Sequence, residues 1–347
     1  MLKDLKNKKI AILGLGIEGL ATIEYLLSKG ITDITILDKK TKEELQKENP
    51  EVLGKLEKAN IQFSLGENYL QNLSNFNLIV RAPGISVLTK ELVTAQEKGV
   101  VISSNTKLFM DLCPCEIIGV TGTKGKGTTT TLIYEMLQKE KKDAYLGGNI
   151  GKPPLTFLNK LTNQSIVVLE LSSFQLQDIS KSPHIAVVLM ITSEHLDYHA
   201  TTEEYISAKR NILRFQTPED FAVINRDYLA SNESDIHTDG QLYFVSRERE
   251  GEKGCFIKDT AVWLRFENRD EKIIDISEIL LPGKHNLENV CAAVMAATIA
   301  GVSKDNIIAV LQTFKGLEHR LELVADVNGV RYYDDSFSTT PENHRSS

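Results

Sequence analysis

A chain of 347 residues has room for two or three domains at ~150 residues each. With 41% hydrophobic and 25% charged residues it can bury a real core, which excludes a disordered or fibrous chain. A net charge of −7 argues against non-specific nucleic-acid binding.

The N-terminus reads Met1-Leu2-Lys3-Asp4-Leu5-Lys6 and lacks the apolar core of a signal peptide. Lys9 to Leu13 is a strand candidate, after which Gly14-Leu15-Gly16-Ile17-Glu18-Gly19 opens a helix running through Leu27. The spacing is that of a GxGxxG loop, with Asp38 ending the next strand, Ile34 to Leu37. Such glycines let backbone approach a pyrophosphate seated on the helix N-terminus, while the acidic residue takes a ribose hydroxyl. The pattern fits NAD, FAD or a UDP-sugar equally, and a purely structural turn remains open. Leu78 to Val80 gives another strand, followed by the turn Ala82-Pro83-Gly84, and Val100 to Ser103 closes the unit. The alternation of strand and helix predicts a small parallel α/β domain.

A second unit begins near Cys115. Ile117 to Val120 reads as a strand that runs into Thr121-Gly122-Thr123-Lys124-Gly125-Lys126-Gly127-Thr128, followed by a helix with Leu132, Ile133, Met136 and Leu137 at helical spacing. Strand, glycine-rich loop, lysine and hydroxyl-rich helix start make a phosphate cradle, with Lys126 on the outer phosphates. The usual loop places Ser or Thr directly after the lysine to hold Mg²⁺. Here Gly127 stands there and the hydroxyls come from Thr128 and Thr129.

Ile166 to Leu169 is a buried strand delivering Glu170, and Ile185 to Ile191 another, delivering Thr192 to His199. Strand ends converge on the ligand crevice of an open parallel sheet, and a carboxylate there suits Mg²⁺. Taken singly, Glu170 and His195 read equally well as surface loop residues, and His184 and His199 as surface histidines. Lys209 lies on a predicted helix and by pattern is a solvated lysine. Phe221 to Ile224 is a strand ending at Asn225; shorter β structure follows over residues 240–280, including Leu242 to Val245 and Ala261 to Phe266. Cys291 to Ala300 is an Ala-rich packed helix, and a third unit begins near Gly316. Cys113, Cys115, Cys255 and Cys291 form no CxxC pair; reduced packing thiols of a cytoplasmic protein are expected. No apolar run approaches the ~20 residues that span a bilayer.

In order along the chain, these segments resemble the Mur ligase family, in its glutamate-adding branch. The segments are the Gly14 loop, Ala82-Pro83-Gly84-Ile85, the Thr121 to Lys126 loop, Gly147-Gly148-Asn149-Ile150-Gly151 and Leu169-Glu170-Leu171-Ser172-Ser173-Phe174-Gln175-Leu176. They continue with Thr192-Ser193-Glu194-His195-Leu196-Asp197, Ala208-Lys209, Leu281-Pro282-Gly283-Lys284-His285-Asn286 with Asn289, and Phe314 to Glu322.

The resemblance implies a Rossmann-like N-terminal domain for the UDP substrate (1–104), a central ATP-binding domain (105–316) and the beginning of a C-terminal Rossmann-like amino-acid domain (317–347). It implies a cytoplasmic, monomeric ligase that phosphorylates the carboxylate of UDP-N-acetylmuramoyl-L-alanine with ATP and joins it to glutamate in peptidoglycan synthesis, without nucleic acid or membrane insertion. By the same resemblance ATP is held by Gly122, Thr123, Lys124, Gly125, Lys126, Gly127, Thr128, Asn286, Asn289, Arg320 and Asp335. Metal falls to Thr128, Glu170, His195 and Lys209, the last carrying a CO₂-derived carbamate that turns a cation into an oxygen ligand. Gly14, Leu15, Gly16, Ile17, Asp38 and Gly84 take the UDP end; Asn149, Ser172, His195 and Thr339 face the rest of the substrates.

Two departures stand out. Where the branch carries Asp-Ser-Lys-Ala-Thr-Asn, this chain has Asp335-Ser336-Phe337-Ser338-Thr339-Thr340, which leaves L-glutamate open beside D-glutamate. The family's third domain is also longer than the segment after Gly316, so the amino-acid pocket is expected to be mostly missing. Two other classes are weighed: a folylpolyglutamate synthase-like ligase, which lacks the N-terminal Gly14-loop domain, and a non-catalytic nucleotide-binding relative.

Overall fold

The structure is a computed structural model that describes residues 5–192, 201–318, 322–327, 330–334 and 336. The chain divides into two units that do not follow chain order: the first holds Met1–Pro114, Gly151–Leu161 and Phe174–Ser180, the second Cys115–Ile150, Thr162–Ser173 and Lys181–Ser347.

The first unit opens with β1 (Ile10–Leu13), α1 (Ile17–Ser28), β2 (Ile34–Asp38), α2 (Lys42–Glu48), α3 (Pro50–Lys58) and β3 (Gln62–Leu65). It continues with β4 (Leu78–Arg81), α4 (Lys90–Glu97), β5 (Val101–Ser104) and α5 (Asn105–Leu112). The sheet order is β3-β2-β1-β4-β5, with every pairing parallel. Alternate residues of β1 face opposite layers: Ile10 and Ile12 pack with Ile23 and Leu26 of α1, Ala11 and Leu13 with Leu92 and Ala95 of α4. A strand covered on both faces must be apolar at every position, which is why β1 reads as a continuous hydrophobic run.

The second unit begins with β6 (Glu116–Thr121), α6 (Lys126–Lys139), β7 (Ala144–Gly148), β8 (Ile166–Glu170) and β9 (Ile185–Val188); the short α7 (Ser173–Leu176) lies between β8 and β9 in the chain, with Phe174–Leu176 in the first unit. There follow α8 (Thr202–Arg210), β10 (Phe221–Asn225), α9 (Leu229–Asn232), β11 (Gln241–Ser246), β12 (Gly254–Lys258), β13 (Ala261–Phe266), β14 (Arg269–Asp275), α10 (Asn286–Ile299) and α11 (Lys304–Leu311). The nine-stranded sheet runs β14-β13-β12-β11-β10-β9-β6-β8-β7. It is parallel from β7 to β12 and antiparallel across β12-β13-β14. Both α6 and the alanine-rich α10 bury against it, around Leu132, Met136, Val290 and Met295. Near the C-terminus β15 (Glu322–Val327) pairs antiparallel with β16 (Val330–Asp334). The fold is therefore α/β, with an all-parallel sheet in the first unit and a mostly parallel one in the second. Among the described residues no helix is long and apolar enough to cross a membrane.

Two elements differ from the sequence expectation. The strand expected over Ile185 to Ile191 ends at Val188, because the Met190 carbonyl accepts from Thr123 N (2.6 Å) and Ile191 N donates to Ser231 Oγ (2.9 Å) instead of continuing the ladder. The helix expected from Cys291 begins at Asn286. Its first turn carries the polar side chains of Asn286, Glu288 and Asn289, which break the apolar pattern used to find it.

Candidate functional site

In the first unit the Gly14 loop is shaped by close approach. Gly14 has φ +95°, and a Cβ there would lie 2.8 Å from Ala82 Cβ; one on Gly19 would lie 2.3 Å from the Gly14 carbonyl oxygen. Only glycine permits this turn to sit against the Ala82-Pro83-Gly84 turn. Asp38, at the end of β2, accepts from Leu15 N at 2.7 Å and Lys40 N at 2.9 Å, so its carboxylate holds the loop in place. Gly16 caps α1 without a side-chain hydrogen bond, and Ile17 and Gly84 stand exposed beside it. Gly14, Leu15, Gly16, Ile17, Asp38 and Gly84 are thus brought together at the C-terminal ends of β1, β2 and β4.

Sequence reasoning missed a buried charge in this unit. Arg81 ends β4 with its side chain fully buried, 3.1 Å from Asp178. It also donates to the carbonyls of Ile85 (2.8 Å) and Phe174 (3.3 Å). Gln175 Nε2 donates to Glu18 Oε1 at 2.8 Å, and burial pushes the Glu18 carboxyl above the usual carboxylate range. An arginine closing the apolar run Leu78–Arg81 was the available signal.

In the second unit β6 runs into the phosphate loop. Gly125, with φ +85°, caps α6, and a Cβ there would lie 2.1 Å from Asn289 Oδ1. Lys126 Nζ donates to the carbonyls of Gly122 (3.0 Å) and Thr123 (2.9 Å). The Thr123 hydroxyl is engaged with the chain leading toward residue 195: it donates to Thr192 O (3.0 Å), accepts from Thr192 N (2.9 Å), and meets the Tyr205 hydroxyl at 3.0 Å. Thr128 is buried at the start of α6.

Glu170 ends β8, 5% exposed. Its Oε1 accepts from Asn149 Nδ2 at 2.9 Å, while Oε2 lies 3.3 Å from where a Cβ on Gly127 would be. The glycine after Lys126 therefore leaves room for a carboxylate edge at the loop. Ser172 follows Leu171, whose N–H bonds Val120 O at 2.9 Å. Lys209, read from pattern as solvated, is 2% exposed. Its Nζ donates to Gly122 O at 2.7 Å and stands 4.7 Å from the Tyr205 ring centroid. The i, i+4 spacing of Tyr205 and Lys209 puts both on the face of α8 that grips the loop. On α10, Asn289 Nδ2 donates to Asn286 Oδ1 (2.8 Å) and Asn286 Nδ2 to Pro282 O (2.6 Å).

Gly122 to Thr128, Asn149, Glu170, Lys209, Asn286 and Asn289 thus meet in one unit around one loop. His195, Arg320, Asp335 and Thr339 lie outside the described residues. Among those described, no three His, Cys, Asp or Glu side chains converge to hold a metal by themselves. The side chains of Glu170 and Thr128 at the loop offer oxygen donors of the kind that would suit Mg²⁺.

Comparison with known proteins agrees with this geometry. The model of the MurD-like N-terminal domain of Mur ligases matches residues 8–104, and that of the Mur ligase middle domain matches residues 120–297. A UDP-N-acetylmuramoylalanine–D-glutamate ligase of Acetivibrio thermocellus is 43% identical over 98% of this chain and 72% of its own length. The ligase of the same name from Clostridium acetobutylicum is 40% identical, again over 98% and 72%. The fold is shared with solved murein peptide ligases. One is from Neisseria (TM-score 0.59, 20% identity, 90% of this chain and 99% of that one), another from Psychrobacter arcticus (TM-score 0.56, 18% identity, 97% and 74%). With both domain models matched in sequence and a relative 43% identical over 98% of this chain, the chain belongs to the Mur ligase family.

Proposed function

We propose that this protein catalyses ATP-dependent amide formation between UDP-N-acetylmuramoyl-L-alanine and D-glutamate, through an acyl phosphate, in peptidoglycan synthesis. The observation that carries the reading is the meeting of the Gly122–Thr128 loop, Lys126, Glu170 and Lys209 at the ends of β6 and β8 in a chain 43% identical to a D-glutamate-adding ligase. D-glutamate is preferred over L-glutamate because both similar relatives described above carry it in their names. The N-terminal match to a MurD-like domain favours this reading over a folylpolyglutamate synthase-like one.

The physical obstacle is bringing a carboxylate to a triphosphate. In this reading Lys126 exchanges its two loop carbonyls for phosphate oxygens, and backbone N–H groups at the start of α6 take the rest of that charge. Glu170 and Thr128, with His195, would hold Mg²⁺, which would supply positive charge for the transferring phosphoryl group. Asn149 fixes the Glu170 carboxylate and, with Ser172, faces the muramoyl substrate. Asn286 and Asn289 take the adenine side, together with Arg320 and Asp335. The Gly14 loop with Asp38 and Gly84 takes the UDP end, and Thr339 the incoming amino acid. Lys209, as a carbamate, would add an oxygen ligand for a second cation.

The test is a coupled phosphate-release assay on the full-length protein, with mass analysis of the uridine product. Addition of one glutamate, with D-glutamate preferred, is expected. L-glutamate preference would overturn the choice of enantiomer, and ATP turnover independent of the muramoyl substrate would overturn the ligase reading.

A further inference from the structure

Beyond the loop itself, the first turn of α10 is held from two sides. On one, Asn289 packs against Gly125 so closely that a Cβ there would lie 2.1 Å from Asn289 Oδ1, and its amide bonds Asn286. On the other stands Glu288, 6% exposed, whose two carboxylate oxygens are both used: Oε2 accepts from Asn225 Nδ2 at 2.7 Å, Oε1 from the Tyr228 hydroxyl at 3.1 Å. Asn225 is fully buried at the end of β10, and its Oδ1 accepts from Asp227 N at 2.9 Å, which leaves its amide nitrogen to face Glu288. The helix α9 that follows this strand is tied to the chain after β9, since Ser231 Oγ donates to Leu189 O (2.8 Å) and accepts from Ile191 N (2.9 Å).

Successive residues of a helix are turned by ~100°. Asn286 and Asn289 share one face, and Glu288 projects from another. A helix held at two faces cannot rotate about its axis without breaking one set of bonds. Removing a carboxylate partner from this buried network would also leave Asn225 Nδ2 without its acceptor. An acidic residue in the first turn is favoured by the helix dipole as well, but the dipole does not select a rotation; the Asn225 and Tyr228 bonds do.

We propose that Glu288 is a positioning residue for the nucleotide: clamped by Asn225 and Tyr228, it sets the rotation of the first turn of α10 and so holds Asn289 and Asn286 against the phosphate loop. The inference rests on the reading of the second unit as the ATP site. It requires no direct contact between Glu288 and nucleotide.

The test measures ATP affinity by calorimetry, with UDP titrated separately as a probe of the first unit, alongside steady-state KM and kcat and the melting temperature. For Glu288→Ala an ATP Kd and KM raised about tenfold or more is expected, with kcat changed less than threefold and UDP affinity unchanged. Glu288→Gln, which keeps an acceptor, should stay within about threefold of wild type, and Tyr228→Phe, which deletes one bond and little packing, should raise the ATP Kd about threefold. Wild-type ATP affinity in Glu288→Ala overturns the proposal. Should Glu288→Ala fail to fold, unchanged ATP affinity in Tyr228→Phe overturns it equally. A wild-type protein that binds no ATP would defeat the ATP-site reading itself, a result distinguishable from a variant that merely behaves as wild type.

Discussion

Replacing Gly125 by alanine tests whether the phosphate loop depends on a backbone shape that only glycine adopts. Gly125 sits at φ +85°, and an added Cβ would fall 2.1 Å from Asn289 Oδ1. The left-handed conformation costs a non-glycine residue ~1–2 kcal/mol. Displacing the Asn289 amide breaks its 2.8 Å bond to Asn286, a further ~0.5–1.5 kcal/mol. Together these give about 1.5–3.5 kcal/mol. In the free protein the loop escapes by leaving its conformation, so the strain reappears when nucleotide restores it. ATP affinity should therefore fall roughly 10- to 300-fold, read by calorimetry. Gly30→Ala is the control: Gly30 has φ +73° but nothing within 4 Å of an added Cβ. It should lose only ~1–2 kcal/mol of stability and leave ATP affinity untouched. An ATP affinity for Gly125→Ala within threefold of wild type would refute the argument.

Arg81→Met should destabilise the first unit by ~3–5 kcal/mol, because it leaves Asp178 without its buried cation and the Ile85 and Phe174 carbonyls without that donor; a change below ~1 kcal/mol in urea unfolding would contradict that role. Glu140 accepts from Asn306 and from the Ser303 backbone and hydroxyl, which holds its carboxyl down to about 2 against an ordinary 4.5. The contact between α6 and α11 should therefore be at full strength above pH ~4.5 and weaken as pH falls toward 2. Glu140→Gln should flatten that part of the stability profile, and an unaltered acid limb would count against the assignment. If Lys209 carries a carbamate, ¹³C-bicarbonate with Mg²⁺ and nucleotide should give a carbamate resonance that Lys209→Ala abolishes; its absence from the wild type would reject the modification. Titration with UDP and with NAD should show UDP binding at the Gly14 loop, and a preference for NAD would reverse that assignment.

What could be read along the chain was what depends on near neighbours. Gly14 to Gly19 and Gly122 to Thr128 are turns whose glycines are demanded by local backbone shape, and each follows an apolar strand long enough to recognise. The ends of those strands could then be expected to converge, because a parallel sheet aligns them. Glu170 could be placed at such an end for that reason, while its role comes from the family resemblance alone.

Tertiary structure decided what distant partners determine. Lys209 has the flanking pattern of a solvated lysine; its burial is compensated by a glycine-loop carbonyl 87 positions away, which accepts a hydrogen bond from its Nζ. Arg81 and Asp178, 97 positions apart, meet only because Phe174–Ser180 folds with the first unit while Ser173 belongs to the second. β7 was read as a glycine-rich motif, and its strand character comes from pairing with β8. The start of α10 was hidden because its polar first turn is paid for by bonds to Asn225, Tyr228 and Pro282 rather than by an apolar stripe. Periodicity reports the burial of side chains against a generic core. It carries no information on a polar group whose burial is compensated by one specific partner far along the chain, and the residues around this candidate site are mostly of that kind.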